Sequence, residues 1–318
     1  MKKLIHILES QQFSKKWIEK EFLPLALDME KIVKTGDAEL LSKHSLSGKK
    51  MARLFWEPST GTAFSFDMAM DRLGGKILAS DHAGDTSKVK GEALKDSMRR
   101  ICGFNWADVI VLRTPEEGMA KTAAEYSSVP VINAGDGWGQ HPSQALTDVF
   151  TVKKEKGTIG GLHYVITGDL RGRTVNSLVY LIAKFPNIRI TFVAPLGARI
   201  GQGIKDYLNK HLVPFQEVDN IMEVVAEGDV FYITRIQKER DGLANFITRH
   251  TPNAFWGVDK QVLRKMKKDA IVMHPLPHED EIAPELDPKI CKDRRIAYFR
   301  QSDNKQYVAM ALLKMILK

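Results

Sequence analysis

Short apolar runs alternate with amphipathic stretches along almost the whole of this chain, and few folds accommodate that order. The apolar runs cover 52–56, 76–79, 109–112, 129–133, 163–167, 189–193, 230–233 and 270–274. Helical spacing of apolar residues covers 14–33, 63–73, 91–102, 116–126, 142–155, 174–184, 198–210 and 258–267. Strands separated by helices of this length predict parallel sheets joined by right-handed crossovers. The expected fold class is α/β, with two doubly wound parallel-sheet domains and a cleft between them. A charged and then glycine-rich stretch at 153–161 follows a helix and precedes a strand, which places the domain junction there. The first domain is expected at 1–150 and the second at 151–302. A last helical stretch at about 307–318 has apolar spacing that suits either a sheet or a helix.

Charge decides which partners to consider. The formal net charge is +8, which admits nucleic acid or anionic metabolites. The basic residues are dispersed in short clusters at 153–156, 264–268 and 292–295. They show none of the aromatic interleaving that single-strand binders use, so a solvated basic surface is the reading and nucleic acid is not an expected partner. Cys102 and Cys291 stand far apart, without metal-ligand spacing, and fit a reducing compartment. The apolar run at the start stops at Leu8, too short for an export signal. No apolar run approaches 18 residues, the length that reads as a membrane span. The expected location is therefore cytoplasmic.

The polar residues that stand out sit where strands end. After the first strand comes Pro58-Ser59-Thr60-Gly61-Thr62, whose hydroxyls and following helix start suit an anion. An ordinary helix N-cap would use the same residues. Arg113 follows a strand at a position where open α/β sheets bind ligands, although a surface Arg there would look the same. The loop from Asn133 to Gln144 holds three glycines beside His141 and Gln144, a pattern expected to shape a loop around a small ligand. His141 suits hydrogen-bond donation to a carbonyl oxygen, with a capping or core histidine as the plainer reading. Later strand ends carry Arg171 and Arg173, then Arg235, Gln237, Lys238 and Arg240, then His274-Pro-Leu-Pro. Gly197 to Gly203 lacks dinucleotide-loop spacing. The recurrence of such loops points to a small polyanionic substrate pair.

Seven ordered motifs carry a resemblance: EPSTGTAFSF, DTSKVKGE, LRTPEEG, INAGDGWGQHPSQALTDVFT, GDLRGRTVNSL, TRIQKER and HPLP. Together they span nearly the whole chain and resemble the aspartate carbamoyltransferase catalytic chains of the aspartate/ornithine carbamoyltransferase family. The resemblance implies an N-terminal carbamoyl-phosphate domain to which the last helix, about 303–318, returns, and a C-terminal aspartate domain. It implies carbamoyl transfer from carbamoyl phosphate to the amine of L-aspartate, without metal or other cofactor, in a homotrimer or a multiple of it. Ser59, Thr60 and Thr62 would hold the phosphate, while Thr62, Arg113 and His141 polarise the carbamoyl oxygen. Gln144 and the Leu276 carbonyl would hold the carbamoyl nitrogen. Arg173, Arg235 and Gln237 would clamp the aspartate carboxylates. Ser87 and Lys90 would reach into the neighbouring subunit's site, Lys90 also serving the aspartate.

The sequence departs from the family at charged positions. The family's phosphate loop reads S-T-R-T-R, whereas here Gly61 and Ala63 replace both arginines. His278 stands where an Arg follows HPLP, and N-G-x-x-x-R becomes Asn304-Lys-Gln-Tyr-Val-Ala309. One preorganised donor is worth about 10²–10³ in rate. Arg53, Lys88 and Lys90 are the cations expected near enough to compensate. Two classes follow: an aspartate-type carbamoyltransferase, slowed by its altered loop, or a non-catalytic paralogue that binds a dicarboxylate or a partner chain.

Overall fold

The computed structural model describes residues 6–81, 91–236, 254–289 and 291–317. Contacts divide the chain into two compact units, Met1–Phe150 with Asp303–Lys318, and Thr151–Ser302.

The first unit opens with α1 (Lys15–Trp17), a π-type stretch Ile18–Phe22, α2 (Leu23–Thr35) and α3 (Ala38–His44). It continues through β1 (Lys50–Phe55), α4 (Thr60–Arg72), β2 (Lys76–Ser80), α5 (Leu94–Gly103), β3 (Val109–Thr114), α6 (Met119–Tyr126), β4 (Val131–Asp136) and α7 (Pro142–Lys156). Among its described residues four strands form one parallel sheet, in the order β2-β1-β3-β4. Val109, Ile110, Val111 and Leu112 are fully buried. Helices on both faces of a parallel sheet demand apolar residues at successive positions, so such strands read as unbroken apolar runs. The edge strand β2 leaves Leu78 exposed. Met98, Ile101, Ile110, Leu112, Ala123 and Val131 form a cluster where α5 and α6 meet the sheet.

The second unit holds β5 (His163–Thr167), α8 (Arg173–Ile182), β6 (Arg189–Val193), α9 (Gln202–Lys210), β7 (Phe215–Val218), β8 (Val230–Ile233), α10 (Lys260–Lys265), β9 (Ile271–Met273) and the first turns of α11 (Tyr298–Ile316). The strands among its described residues are parallel, in the order β7-β6-β5-β8-β9. Val165, Phe231 and Val272 from three strands pack with Val262, Leu263 and Tyr298 in its core.

Among the elements that the sequence expectation lacks are β7 and α3. β7 is a four-residue edge strand with partly exposed Phe215, Glu217 and Val218, too short and too polar to stand out. α3 has seven residues and owes its start to Asp37, whose carboxylate accepts from the Leu40 amide at 2.9 Å. The last helix begins at Tyr298, about nine residues before the start read from apolar spacing and about five before the one the resemblance implies. Its first turns bury Gln301 and Asn304, and the Gln301 side chain accepts from the His274 amide at 2.8 Å. Polar groups satisfied in this way break the apolar periodicity that marks a helix.

Candidate active site

In the first unit the sheet order reverses between β1 and β3, and in open α/β sheets ligands bind outside the carboxyl ends of the strands at such a reversal. Arg113 lies there, in register with Phe55 at the end of β1. Its Nε is 3.2 Å from Glu57 Oε2, and its Nη1 donates to the Ala134 carbonyl at 3.2 Å. The side chain is only 11 % exposed, so this Arg is an oriented cation and not a surface cap. Ser59 is the N-cap of α4, yet its hydroxyl makes no capping hydrogen bond. The ordinary-cap reading therefore fails for Ser59. Thr60 begins the helix, and Thr62 is buried one turn in.

Thr62, His141 and Gln144 converge with Ser65, Lys305 and Ala309 on one pocket of about 240 Å³, its open mouth included. His141 is buried, with Nδ1 3.2 Å from the Ser143 hydroxyl. Gln144 donates through Nε2 to Asp148 Oδ1 at 2.7 Å, and Asp148 is fully buried. Of the expected donor-side residues in this unit, the structure thus gathers Thr62, His141 and Gln144 in one place, with Ser59 and Thr60 on the same helix start.

Gly137 and Gly139 are required by the protein's own packing. Gly137 has φ +49°, and a Cβ there would lie 2.7 Å from the Glu117 amide and 2.8 Å from the Pro115 carbonyl. The loop is pressed against the one that follows Arg113. Arg53, the first cation expected to compensate for the missing loop arginines, is committed elsewhere. Its Nε donates to Asp67 at 2.8 Å, its Nη1 and Nη2 contact Asp81, and the side chain is 5 % exposed. Lys88 lies outside the described residues, as do Ser87, Lys90 and Gln237.

The cation that does line the pocket is Lys305 of α11. A Cβ added at Gly61 would stand 3.9 Å from its Nζ. Burial holds the ammonium below the ordinary lysine pKa, the Asp148 charge draws it back up, and the Arg113 charge pushes it down. Sequence reasoning passed over this residue, although its signal was present in the Lys that follows Asn304 where the family has Gly.

The second unit has its own reversal, between β5 and β8. Gly168 ends β5 with φ +100°, and Thr234 follows β8 with its carbonyl pressed against that glycine. Asp169 is buried and takes both Nε and Nη2 of Arg171, at 2.9 and 3.0 Å. Arg173 is the first residue of α8. Arg235 pairs with Glu279 at 2.7 Å while remaining partly exposed. Leu276 adopts φ +60°, and its amide donates to His274 Nδ1 at 2.8 Å. That bond leaves the His274 proton on Nε2, which faces Glu281 Oε1 at 2.9 Å.

This buried pair yields a pH prediction. Burial is the largest single influence on Glu281 and raises its pKa, but the hydrogen bond from His274, backbone hydrogen bonds and the attraction of His274 together outweigh it, and the net shift is downward. A carboxyl lowered in the folded state stabilises fully above its unfolded pKa of about 4.3. That stability is lost as pH falls through the lowered native value. Denaturation midpoints followed from pH 6 to pH 3 should therefore fall less steeply for Glu281→Gln than for wild type; parallel curves would contradict the assignment.

Among the described residues no group of His, Cys, Asp or Glu is placed to hold a metal ion, and no helix is long and apolar enough to cross a membrane.

The profile of the aspartate/ornithine carbamoyltransferase carbamoyl-P binding domain matches residues 5–154, and that of the Asp/Orn binding domain matches 160–316. The chain is 44 % identical to the chloroplastic aspartate carbamoyltransferase of Arabidopsis thaliana over 316 residues, covering 99 % of this chain and 78 % of that protein. It is 40 % identical to the aspartate carbamoyltransferase catalytic subunit of Clostridium novyi over 272 residues, 85 % of this chain and 86 % of that one. Among solved structures, aspartate transcarbamoylase from Trypanosoma cruzi in complex with carbamoyl phosphate and aspartate superposes with a TM-score of 0.90. It shares 34 % identity, with 99 % and 97 % of the two chains covered.

Proposed function

The chain belongs to the aspartate/ornithine carbamoyltransferase family, and from that premise we propose that it transfers the carbamoyl group of carbamoyl phosphate to the amine of L-aspartate. The products are N-carbamoyl-L-aspartate and phosphate, a step of pyrimidine biosynthesis. The observation that carries this reading is the convergence of Thr62, His141 and Gln144 on one pocket of the first unit, a grouping that a purely structural role does not require.

In the reaction the neutral amine attacks the carbamoyl carbon and a C–N bond forms. The bond from that carbon to the bridging oxygen breaks, phosphate leaves with the electron pair, and one proton is released. Negative charge grows on the carbamoyl oxygen in the tetrahedral stage. Donors already fixed in place stabilise it without reorganisation. Arg113 is fixed by Glu57 and the Ala134 carbonyl, and His141 is held in a buried position. Ser59, Thr60 and the first amides of α4 suit the phosphate. Arg173 and Arg235 suit the dicarboxylate, because a guanidinium fork makes paired bonds to carboxylates. The proposed assembly is a homotrimer or a multiple of it, as the resemblance implies, and the proposed compartment is the cytoplasm, where Cys102 and Cys291 stay free thiols.

Gly61 and Ala63 favour a second reading, a paralogue that keeps the fold without turnover. The two separate in one assay. Purified protein with saturating carbamoyl phosphate and aspartate is expected to form carbamoyl-aspartate; no product above blank at any concentration would sink the enzymatic reading and leave the paralogue.

A further inference from the structure

We infer that Lys305, reaching from α11, supplies the cationic charge of the donor phosphate subsite that the Ser59-Thr60-Gly61-Thr62 loop does not carry. The inference rests on the carbamoyl-transfer reading above and adds a binding residue to it.

Three observations converge on Lys305. First, it lines the same pocket as Thr62, His141 and Gln144, so its charge reaches the residues expected to hold carbamoyl phosphate. Second, its Nζ borders Gly61, since a Cβ built there would lie 3.9 Å from it, at ordinary van der Waals contact. A lysine on the helix thus stands beside the position where the family's loop carries an arginine. Third, Ala309 lies one turn further along α11 and lines the same pocket. Residues four apart share a helix face, so a small residue there leaves room beside the lysine stem.

The local electrostatics suit an anion. Lys305 is held in a partly desolvated position near a second cation, Arg113, with Asp148 as the opposing charge. Burial and the like charge both penalise the ammonium, and a bound phosphate relieves both. The substitution is not neutral in geometry. A guanidinium makes two parallel bonds to a phosphate, whereas an ammonium acts as a point charge on a flexible stem. A lysine in place of the loop arginine keeps the charge and gives up the paired bonds. It also leaves the loop backbone at Gly61 free of a side chain.

Titration calorimetry with carbamoyl phosphate and, separately, inorganic phosphate tests this on wild type, Lys305→Met, Lys305→Arg and Gly61→Met. A hydrogen bond from a charged donor is worth a factor of roughly 10–150 in affinity. Lys305→Met is expected to weaken both ligands by about that factor, and Lys305→Arg to bind them more tightly than Lys305→Met. Gly61→Met leaves the lysine in the chain but sets an uncharged side chain beside its ammonium, and should also weaken binding. This second variant tests the inference even if the first fails to fold. The exchange variant Gly61→Arg/Lys305→Met should recover affinity that Lys305→Met loses. Binding within twofold of wild type in both folded Lys305→Met and Gly61→Met would overturn the inference. The assay for carbamoyl-aspartate separates the two claims. Turnover by wild type with donor affinity unchanged in both variants removes Lys305 and leaves the function. Weakened donor binding in the variants, with no product from wild type, removes the function and leaves Lys305.

Discussion

Replacing Arg113 with alanine is expected to lower kcat/KM for carbamoyl phosphate by about 10²–10³. The expectation rests on orientation and burial. Arg113 is held by Glu57 and by the Ala134 carbonyl, with little of its side chain exposed. A donor fixed in this way pays no reorganisation when the carbamoyl oxygen gains charge, which is why its loss falls on the transition state. Lysine at the same position keeps the charge but not the planar fork, so Arg113→Lys should fall between wild type and alanine. Steady-state kinetics on both variants, with melting curves as the check on folding, measure this. A kcat/KM for Arg113→Ala within threefold of wild type would remove Arg113 from the reaction.

The second large effect is structural. Gly168→Ala places a Cβ 1.9 Å from the Thr234 carbonyl oxygen and 2.8 Å from its carbonyl carbon, at φ +100°. The obstacle is backbone at the meeting of two central strands, so no rotamer change relieves it. Overpacking costs about 1–3 kcal/mol, and a left-handed backbone at a residue with a Cβ adds about 1–2 kcal/mol. The expected destabilisation is roughly 2–5 kcal/mol. Thr234 precedes Arg235, and Gly168 precedes the loop that ends at Arg173, so the surviving protein should also show a raised KM for aspartate. Gly103→Ala is the control, because a Cβ there meets nothing within 4 Å. Urea denaturation of the two variants beside wild type decides it, and equal midpoints for Gly168→Ala and Gly103→Ala would refute the account.

Much of the fold was legible because its signals are local. β5, β6 and β8 coincide with the apolar runs at 163–167, 189–193 and 230–233, each buried over nearly its whole length and so largely apolar. β7 was not legible, since an edge strand of four residues needs no such run. The early start of α11 was hidden for the opposite reason. Gln301 and Asn304 are buried polar residues, and a helix that buries polar groups loses its apolar stripe. In the candidate site, Arg113, His141 and Gln144 could be read from their places after strands, because a parallel α/β sheet delivers its strand ends to one edge. The purpose of the glycines around 137 could not, because the backbone they meet belongs to another loop.

The sequence by itself determined most of the elements that form, and that the loop after β1 lacks cationic side chains. It could not determine where a replacement charge sits. Arg53 lies beside that loop in sequence, yet Asp67 and Asp81 take its side chain. Lys305 lies almost at the other end of the chain, yet its ammonium borders Gly61. Only the tertiary structure decided between them. A charge acts through space and through the groups that desolvate or neutralise it, and proximity along the chain sets neither.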